Sequence, residues 1–154
     1  MRLNYVLIPL AAILTALAGS YFTNAGMEWY ETLILPGFTP PGYAIGAVWT
    51  AIYALATASA LIFYNRSPKD SRFRITAAIF VANAILNADW SWIFFAKHLL
   101  GLAVAEAAVL GATVVALIVL IWPRSRTAAA LLVPYAAWVA FATYLAFAVW
   151  RLNG

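Results

Sequence analysis

Residues 100–122 of the chain read LGLAVAEAAVLGATVVALIVLIW, and Glu106 is the one charged side chain among them. A helix needs about 20 apolar residues to cross the hydrocarbon core of a bilayer. Over the whole chain of 154 residues, 66% are apolar and 9% are charged, whereas soluble domains carry about 25% charged residues. A folded domain of this size exposes too much surface to hide that apolar excess from water. We therefore predict an integral membrane protein.

Four other apolar stretches of similar length predict an all-α bundle of five transmembrane helices in a single domain. The predicted spans are residues 4–23, 44–64, 75–95, 100–122 and 128–150. The first span has an alternative interpretation as a signal peptide, because Arg2 precedes it and residues 16–18 (ALA) resemble a cleavage site. The apolar stretch continues past that point through Tyr21 and Phe22, which favours a retained span.

The longest predicted connection, residues 24–43, has the sequence NAGMEWYETLILPGFTPPGY. Its prolines interrupt helical structure, and its apolar side chains require a surface to cover. We interpret this segment, called the lid loop below, as a cover on one end of the bundle. The alternative is a segment that lies on the lipid headgroups.

Basic residues predict the orientation, because short cytoplasmic loops are enriched in Lys and Arg. Two basic residues, Lys97 and Arg151, fall on the side of the lid loop. The other side has seven: Arg2, Arg66, Lys69, Arg72, Arg74, Arg124 and Arg126. We expect a prokaryotic cytoplasmic (inner) membrane protein with a cytoplasmic N-terminus and with the lid loop and C-terminus outside. We interpret the basic residues as signals for the orientation of the protein in the membrane. They therefore do not indicate a nucleic-acid partner, and none is expected.

Seven tryptophans are a high count for a chain of this length. Trp122 and Trp150 lie at span ends, where membrane proteins have an aromatic belt. The depths of other aromatic residues predict convergence in the lid-side half of the bundle: Trp29, Tyr30, Trp49, Tyr53, Trp90, Trp138 and Tyr144. A concave aromatic site suits a flat, apolar ligand. The alternative is a belt combined with ordinary helix packing.

Three polar residues fall in the lid-side parts of spans three and four: Asn87, Asp89 and Glu106. Of these, Asn87 is a candidate ligand-binding residue, together with the aromatic residues. A charged side chain inside a membrane is costly and usually faces the bundle interior. The alternative for the two carboxylates is that they reach the interface or pair with a basic residue near the lid side, namely Lys97, His98 or Arg151.

Composition excludes several kinds of site. The chain has no cysteine and one histidine, His98, which excludes thiolate catalysis, a haem with two histidine ligands and a His-rich metal site. No span contains a lysine that could form a Schiff base with retinal. We expect no metal and no required cofactor. The remaining functions are binding, transport or sensing of an apolar ligand, or chemistry carried out by the ligand itself.

Three blocks of sequence are distinctive: WYETLILPGFTPPGYAIGAVWTAIY (29–53), NADWSWIFF (87–95) and PYAAWVAFATYLAFAVWRLN (134–153). They resemble the TspO/MBR family, also called tryptophan-rich sensory protein, translocator protein or peripheral benzodiazepine receptor. The resemblance covers nearly the whole chain. It implies a five-helix bundle, often dimeric, that binds tetrapyrroles such as protoporphyrin IX and haem.

The same resemblance implies that Trp49, Trp90, Trp138 and Ala142 contact the ligand, with Trp29 and Tyr30 in the covering loop. The predicted function is tetrapyrrole binding for porphyrin sensing, trafficking or stress response. One alternative is an enzyme for light-dependent oxidative degradation of protoporphyrin IX, with Trp49 and Trp138 as its catalytic residues. A second alternative is a transporter of apolar ligands, although the sequence has no clear internal repeat.

The chain departs from the family pattern at three positions. Trp92 stands where relatives often have a proline, which removes a possible kink in span three. Ala146 stands where an asparagine is common. Phe147 stands where the sterol-recognition pattern of the last helix requires a tyrosine, so sterol binding is not expected.

Small residues spaced four apart predict a homodimer through span three or span four, because they let helices approach closely in lipid. The candidates are Ala78 with Ala82, Ala84 with Ala88, Ala103 with Ala107 and Gly111, and Ala108 with Ala112 and Ala116. The alternative for each stripe is close packing within one bundle.

Overall fold

The computed structural model describes residues 3–154, so Arg2, which contributed to the predicted orientation, lies outside the described residues. The described part is helical and contains no strand. Five helices in it are long and apolar enough to cross a membrane. This result confirms the predicted all-α bundle of five membrane-spanning helices.

The helices are α1 (Asn4–Ala25), α2 (Met27–Tyr30), α3 (Gly42–Arg66), α4 (Ser71–Ser91), α5 (Leu100–Ile121), α6 (Arg126–Ala130) and α7 (Val133–Asn153). The spans are α1, α3, α4, α5 and the α6–α7 pair. Polar side chains begin two of the helices. Asp70 accepts a hydrogen bond from the Phe73 N–H at the start of α4, and Ser125 accepts one from the Ala128 N–H at the start of α6. Such caps satisfy N–H groups that have no partner within the helix.

The spans form a closed ring in the order α1, α3, α7, α5 and α4. Helix α5 packs extensively against α7 and α4, whereas α3 and α7 make the least extensive contact between neighbours in the ring. The ring encloses an apolar core that includes Ile52 and Phe63 of α3, Val114 and Leu117 of α5, and Val139 of α7. Most of the contact between α3 and span five is made by α6, where the Ser59 hydroxyl donates to the Ala128 carbonyl at 2.7 Å.

Span three does not end as a regular α-helix. Residues Trp92–Ala96 form a π-helical segment that continues α4, and the Lys97 N–H donates to the Trp92 carbonyl at 3.0 Å. This segment turns Phe94 and Phe95 into the core and leaves Trp92 exposed. Span three is therefore irregular at Trp92 even without a proline at this position. A short turn follows, in which His98 has a left-handed backbone conformation with φ of 58°.

The lid loop is attached to the bundle at several points. Trp29 stacks on His98 with ring centroids 3.8 Å apart. The Ile34 N–H donates to Oδ1 of Asn153 at 2.9 Å, and Nδ2 of Asn153 donates to the Ile34 carbonyl at 2.9 Å. The loop therefore runs from the end of α1, past the π-helical segment, to the C-terminal end of α7.

Gly26 at the start of the lid loop is expected to be intolerant of a side chain. A Cβ at this position would lie 2.3 Å from the Phe95 carbonyl oxygen, which is closer than such atoms can approach. Gly26→Ala should therefore destabilise the protein by about 1–3 kcal/mol, the usual cost of overpacking, measured by unfolding in detergent. Gly37→Ala in the same loop is the matched control, because a Cβ there would meet nothing within 4 Å. Equal stability of the two variants would contradict this packing.

The structure sorts the small-residue stripes into inward and outward faces. Ala103 and Ala107 are buried, and a Cβ on Gly111 would lie 3.4 Å from Val139 of α7. This stripe therefore packs within the bundle. Exposed positions belong to two other stripes: Ala78 and Ala82 of α4, and Ala108 and Ala112 of α5.

Candidate functional site

Two aromatic residues of α3 face the inside of the bundle one turn apart. Trp49 and Tyr53 are partly buried, and their ring centroids are 5.9 Å apart. Trp49 also meets Tyr135 of α7 edge-on, with ring centroids 6.1 Å apart. The α3 side of the α3–α7 junction is therefore an aromatic surface.

Helix α7 contributes Trp138, one turn from Tyr135, and Ala142, one turn further along. The Trp138 ring lies 5.3 Å from the ring of Phe141, and both Trp138 and Ala142 are partly buried. Nε1 of Trp138 is buried and has no hydrogen-bond partner in residues 3–154. A buried donor without a partner costs about 1–3 kcal/mol. An acceptor oxygen placed here would recover that free energy.

A chain of hydrogen bonds between side chains crosses the interior beside these rings. The Tyr53 hydroxyl donates to Oδ1 of Asn87 at 2.6 Å, and Nδ2 of Asn87 donates to the Tyr135 hydroxyl at 2.7 Å. The Tyr135 hydroxyl donates to Oδ1 of Asn83 at 2.9 Å, and Nδ2 of Asn83 donates to Oγ1 of Thr113 at 2.8 Å. The chain thus joins α3, α4, α7 and α5.

This network gives Asn87 two side-chain partners. Its Oδ1 accepts from the Tyr53 hydroxyl and its Nδ2 donates to the Tyr135 hydroxyl, so Asn87 orients two tyrosines at the edge of the aromatic junction. Asn83, Thr113 and Tyr135 were not predicted from the sequence as site residues. The signal for Asn83 was available, because Asn83 and Asn87 are polar residues four apart on one face of an apolar helix.

Trp90 lies in a second aromatic cluster at the π-helical segment. Its ring stacks on Phe94 with centroids 5.0 Å apart, and its Nε1 donates to the Ala103 carbonyl at 3.0 Å. Trp29 and Tyr30 of the lid loop pack against the same cluster. These contacts attach the first part of the loop to the end of span three.

The seven aromatic residues that were predicted to converge therefore do not form one group. The α3–α7 junction contains Trp49, Tyr53 and Trp138, and the second cluster contains Trp29, Tyr30 and Trp90. Tyr144 is exposed and stacks on Phe38 of the lid loop with centroids 5.5 Å apart. The position of a residue along its span does not fix which neighbouring helix its side chain faces.

The two membrane carboxylates have different surroundings. Asp89 is exposed on the outward face of α4, and within residues 3–154 no ion pair joins it to Lys97, His98 or Arg151. Glu106 is buried, as expected for a charged residue of a span, and neither of its carboxylate oxygens has a hydrogen-bond partner in the described chain.

Two surface hollows lie away from the aromatic junction. One of about 310 Å³ adjoins the start of α5 beside Trp150, and the other, of about 280 Å³, is a groove between α5 and α7 around Gly111. Neither hollow is lined by Trp49 or Trp138. These two hollows are therefore separate from the aromatic junction.

Comparisons with known proteins agree with the resemblance seen in the sequence. The sequence model of the TspO/MBR family matches residues 5–151. The tryptophan-rich protein TspO of Bacillus cereus is 35% identical over 81% of this chain and 80% of its own length. TspO of Archaeoglobus fulgidus is 35% identical over 98% and 97% of the two chains. The human translocator protein is 32% identical over 94% of this chain and 86% of its own.

Proposed function

The chain belongs to the TspO/MBR family, and on that premise we propose that it binds a tetrapyrrole such as protoporphyrin IX or haem at the α3–α7 junction. The binding would serve porphyrin sensing, trafficking or stress response in the membrane. The observation that carries the proposal is the buried Nε1 of Trp138, which has no acceptor in residues 3–154 and lies in an aromatic junction.

The chemistry of the junction fits such a ligand. A tetrapyrrole is flat and largely apolar, and protoporphyrin IX and haem carry carboxylate side chains at one edge. Trp49, Tyr53 and Phe141 offer ring faces and edges against which a macrocycle can stack. The Trp138 N–H can donate to a carboxylate, and a hydrogen bond to a charged group is stronger than one between neutral groups.

The lid loop supports an access route to this junction. Its first part is held by the stack of Trp29 on His98, whereas its later part meets α7 through Phe38, which packs on Phe141 and Tyr144. Both Phe38 and Tyr144 are exposed. Separation of this outer stack would uncover the α3–α7 junction while the first part of the loop remains in place.

A titration in the dark followed by illumination tests the proposal. Protein in detergent is mixed with protoporphyrin IX, and saturable quenching of tryptophan fluorescence without bleaching of the porphyrin absorption is the expected result. Absence of saturable quenching would contradict the proposal. The second candidate function, light-dependent degradation of the porphyrin, rests on the two oxidisable indoles of Trp49 and Trp138. Bleaching in light that is faster with the native chain than with Trp138→Phe would favour that enzyme.

The orientation of the bundle remains a prediction that labelling can test. The excess of basic residues on the side of the α3–α4 turn favours a cytoplasmic location for that side. The native chain has no cysteine, so single cysteines give a clean signal. With an impermeant maleimide added to intact cells, Thr39→Cys in the lid loop should react and Ser71→Cys should not. The reverse labelling would show that the bundle has the opposite orientation.

A homodimer through α4 is supported by the composition of its outward face. Three exposed residues lie on this side of the helix: Ala78, Ala82 four residues later, and Asp89 seven residues after that. A carboxylate facing lipid is costly, and a partner helix would cover it. Ala82→Leu should therefore reduce cross-linked dimer, while Ala112→Leu on the outward face of α5 should not. Loss of dimer only with Ala112→Leu would place the contact on α5 instead.

A further inference from the structure

The end of the bundle opposite the lid loop has a concentrated positive charge. Its one acid is Asp70. Its six basic residues are Arg66, Lys69, Arg72, Arg74, Arg124 and Arg126. Nη2 of Arg124 donates to Asp70 at 2.6 Å, and its Nη1 donates to the Pro68 carbonyl at 3.1 Å. The Arg124 hydrogen bond, with that of the Phe73 N–H, holds the pKa of Asp70 below its ordinary value. The single acid of this end is thus ionised and already paired with Arg124.

Arg124 is the one basic side chain with an acidic partner in the described part of the chain. The other five basic residues of this end have no carboxylate within reach in residues 3–154. The lid side differs, because Glu28, Glu31 and Asp89 there match the number of its basic residues more closely. The charge at the α3–α4 end therefore favours an anionic partner.

The basic groups lie beside aromatic residues of the kind that mark the level of the lipid headgroups. Tyr64 and Trp122 are exposed at the same end, as aromatic residues are where a membrane meets water. The Lys69 ammonium lies 3.6 Å from the ring centroid of Tyr64 and 3.7 Å from that of Phe73. The Arg126 guanidinium lies 6.0 Å from the ring centroid of Trp122. These contacts hold positive charge beside the aromatic belt.

Arg72 is the anchor of this end. It begins the inward side of α4, one turn before the fully buried Thr76, and its Nε is buried without a hydrogen-bond partner in the described chain. At the end of α3, before the connection to α4, Ser67 is 7% exposed and its Oγ also has no partner in the described chain. Both atoms can donate a hydrogen bond. A partly buried cation without a counter-ion is costly, so a nearby anion with acceptor oxygens would stabilise this corner.

We propose that the α3–α4 end binds the phosphate of an anionic phospholipid, with Arg72 as the anchor and with Arg66, Lys69 and Arg74 adding positive charge at the same end. The guanidinium fork matches the geometry of phosphate oxygens. Anionic lipids are preferred over zwitterionic lipids because each juxtamembrane Lys or Arg adds attraction to a net negative headgroup. Tyr64 and Trp122 at the same end are typical of the membrane–water interface. A phospholipid whose phosphate binds there can extend its acyl chains into the bilayer.

Native mass spectrometry of the full chain in detergent tests this proposal by counting retained lipids. Phosphatidylglycerol should be retained at about tenfold lower concentration than phosphatidylcholine with the same acyl chains, since several basic residues contribute. Arg72→Gln should raise the phosphatidylglycerol concentration required by about fivefold, the effect of one basic residue near a membrane surface. Arg151→Gln, which removes an exposed basic residue at the other end, is the control and should have no effect.

Arg74→Gln provides a second variant, because Arg74 is exposed and its loss does not disturb the interior. It should also weaken retention of phosphatidylglycerol, by less than Arg72→Gln. Equal retention of the two lipids, or equal losses in Arg72→Gln and Arg151→Gln, would overturn the proposal. Release of phosphatidylglycerol by inorganic phosphate at similar concentration would also overturn it, because the site would then take free phosphate and not a lipid.

Discussion

Trp138→Ala is expected to weaken binding of protoporphyrin IX by on the order of tenfold or more, since about 1.4 kcal/mol corresponds to tenfold. Stacking on one aromatic ring contributes about 0.5–1.5 kcal/mol beyond area burial, and buried apolar area adds roughly 25 cal/mol per Å². The variant also removes the buried N–H that lacks an acceptor in residues 3–154. The measurement is quenching of tryptophan fluorescence during a titration in the dark.

Three conservative variants distinguish the effect of the Trp138 ring from that of its N–H group, and the effect of Trp138 from that of tryptophans elsewhere. Trp138→Phe keeps a ring and removes the donor, so its loss of affinity should be smaller than that of Trp138→Ala. Trp122→Phe and Trp150→Phe change exposed residues at span ends and should have little effect. An effect of Trp122→Phe or Trp150→Phe as large as that of Trp138→Ala would mean that the ligand binds elsewhere.

The ligand itself supplies a further control. The dimethyl ester of protoporphyrin IX keeps the macrocycle and lacks the charged carboxylates. If the Trp138 N–H donates to a carboxylate, Trp138→Phe should weaken binding of the free acid more than binding of the ester. Equal losses would show that Trp138 acts through its ring alone.

Asn87→Leu is expected to lower the free energy of unfolding by about 1–3 kcal/mol, because it leaves two buried tyrosine hydroxyls with one partner fewer each. The hydroxyls are those of Tyr53 and Tyr135, which Asn87 joins across three helices. Hydrogen bonds between membrane helices average only about 0.6 kcal/mol each in measured cycles, and the loss of two such bonds gives the lower end of this range. Unfolding of the purified protein in detergent measures the change.

The matched control for Asn87→Leu is Thr143→Val. The Thr143 hydroxyl donates to the Val139 carbonyl of its own helix at 2.7 Å and joins no other helix. Its removal should change stability little. If Asn87→Leu proves as stable as Thr143→Val, the hydrogen-bond chain does not hold the helices together. Porphyrin affinity should also fall in Asn87→Leu, because Tyr53 at the α3–α7 junction loses the partner that orients its ring.

The number and order of the spans could be predicted from the sequence, because the length of an apolar stretch is a local property. The first and last residues of the spans were predicted less accurately. Span three was predicted as 75–95 and extends over Ser71–Ala96, and span two was predicted as 44–64 and extends over Gly42–Arg66. Both helices continue past the apolar residues into polar and basic ones, where hydrogen bonding within the helix persists although hydrophobicity has ended.

The candidate site was predictable in part. Trp49 and Tyr53 share a face because they are four residues apart, and this periodicity is visible in the sequence. Rotation of each helix and the order of helices in the ring depend on packing between distant residues, which a single sequence does not reveal. For that reason Trp90 was assigned to one common site, whereas it faces α5 and donates to the Ala103 carbonyl.

Photo-oxidation of the tryptophans by the bound porphyrin tests the location of the ligand most directly. Illuminated porphyrin oxidises nearby indoles, and peptide mass spectrometry measures oxidation at each of the seven tryptophans. Exposure to solvent and lipid alone favours oxidation of Trp92, Trp122 and Trp150, which are the exposed ones. Binding at the α3–α7 junction predicts the opposite order, with the earliest oxidation at Trp49 and Trp138. Oxidation that begins at Trp122 or Trp150, or that simply follows exposure, would contradict a ligand site between α3 and α7.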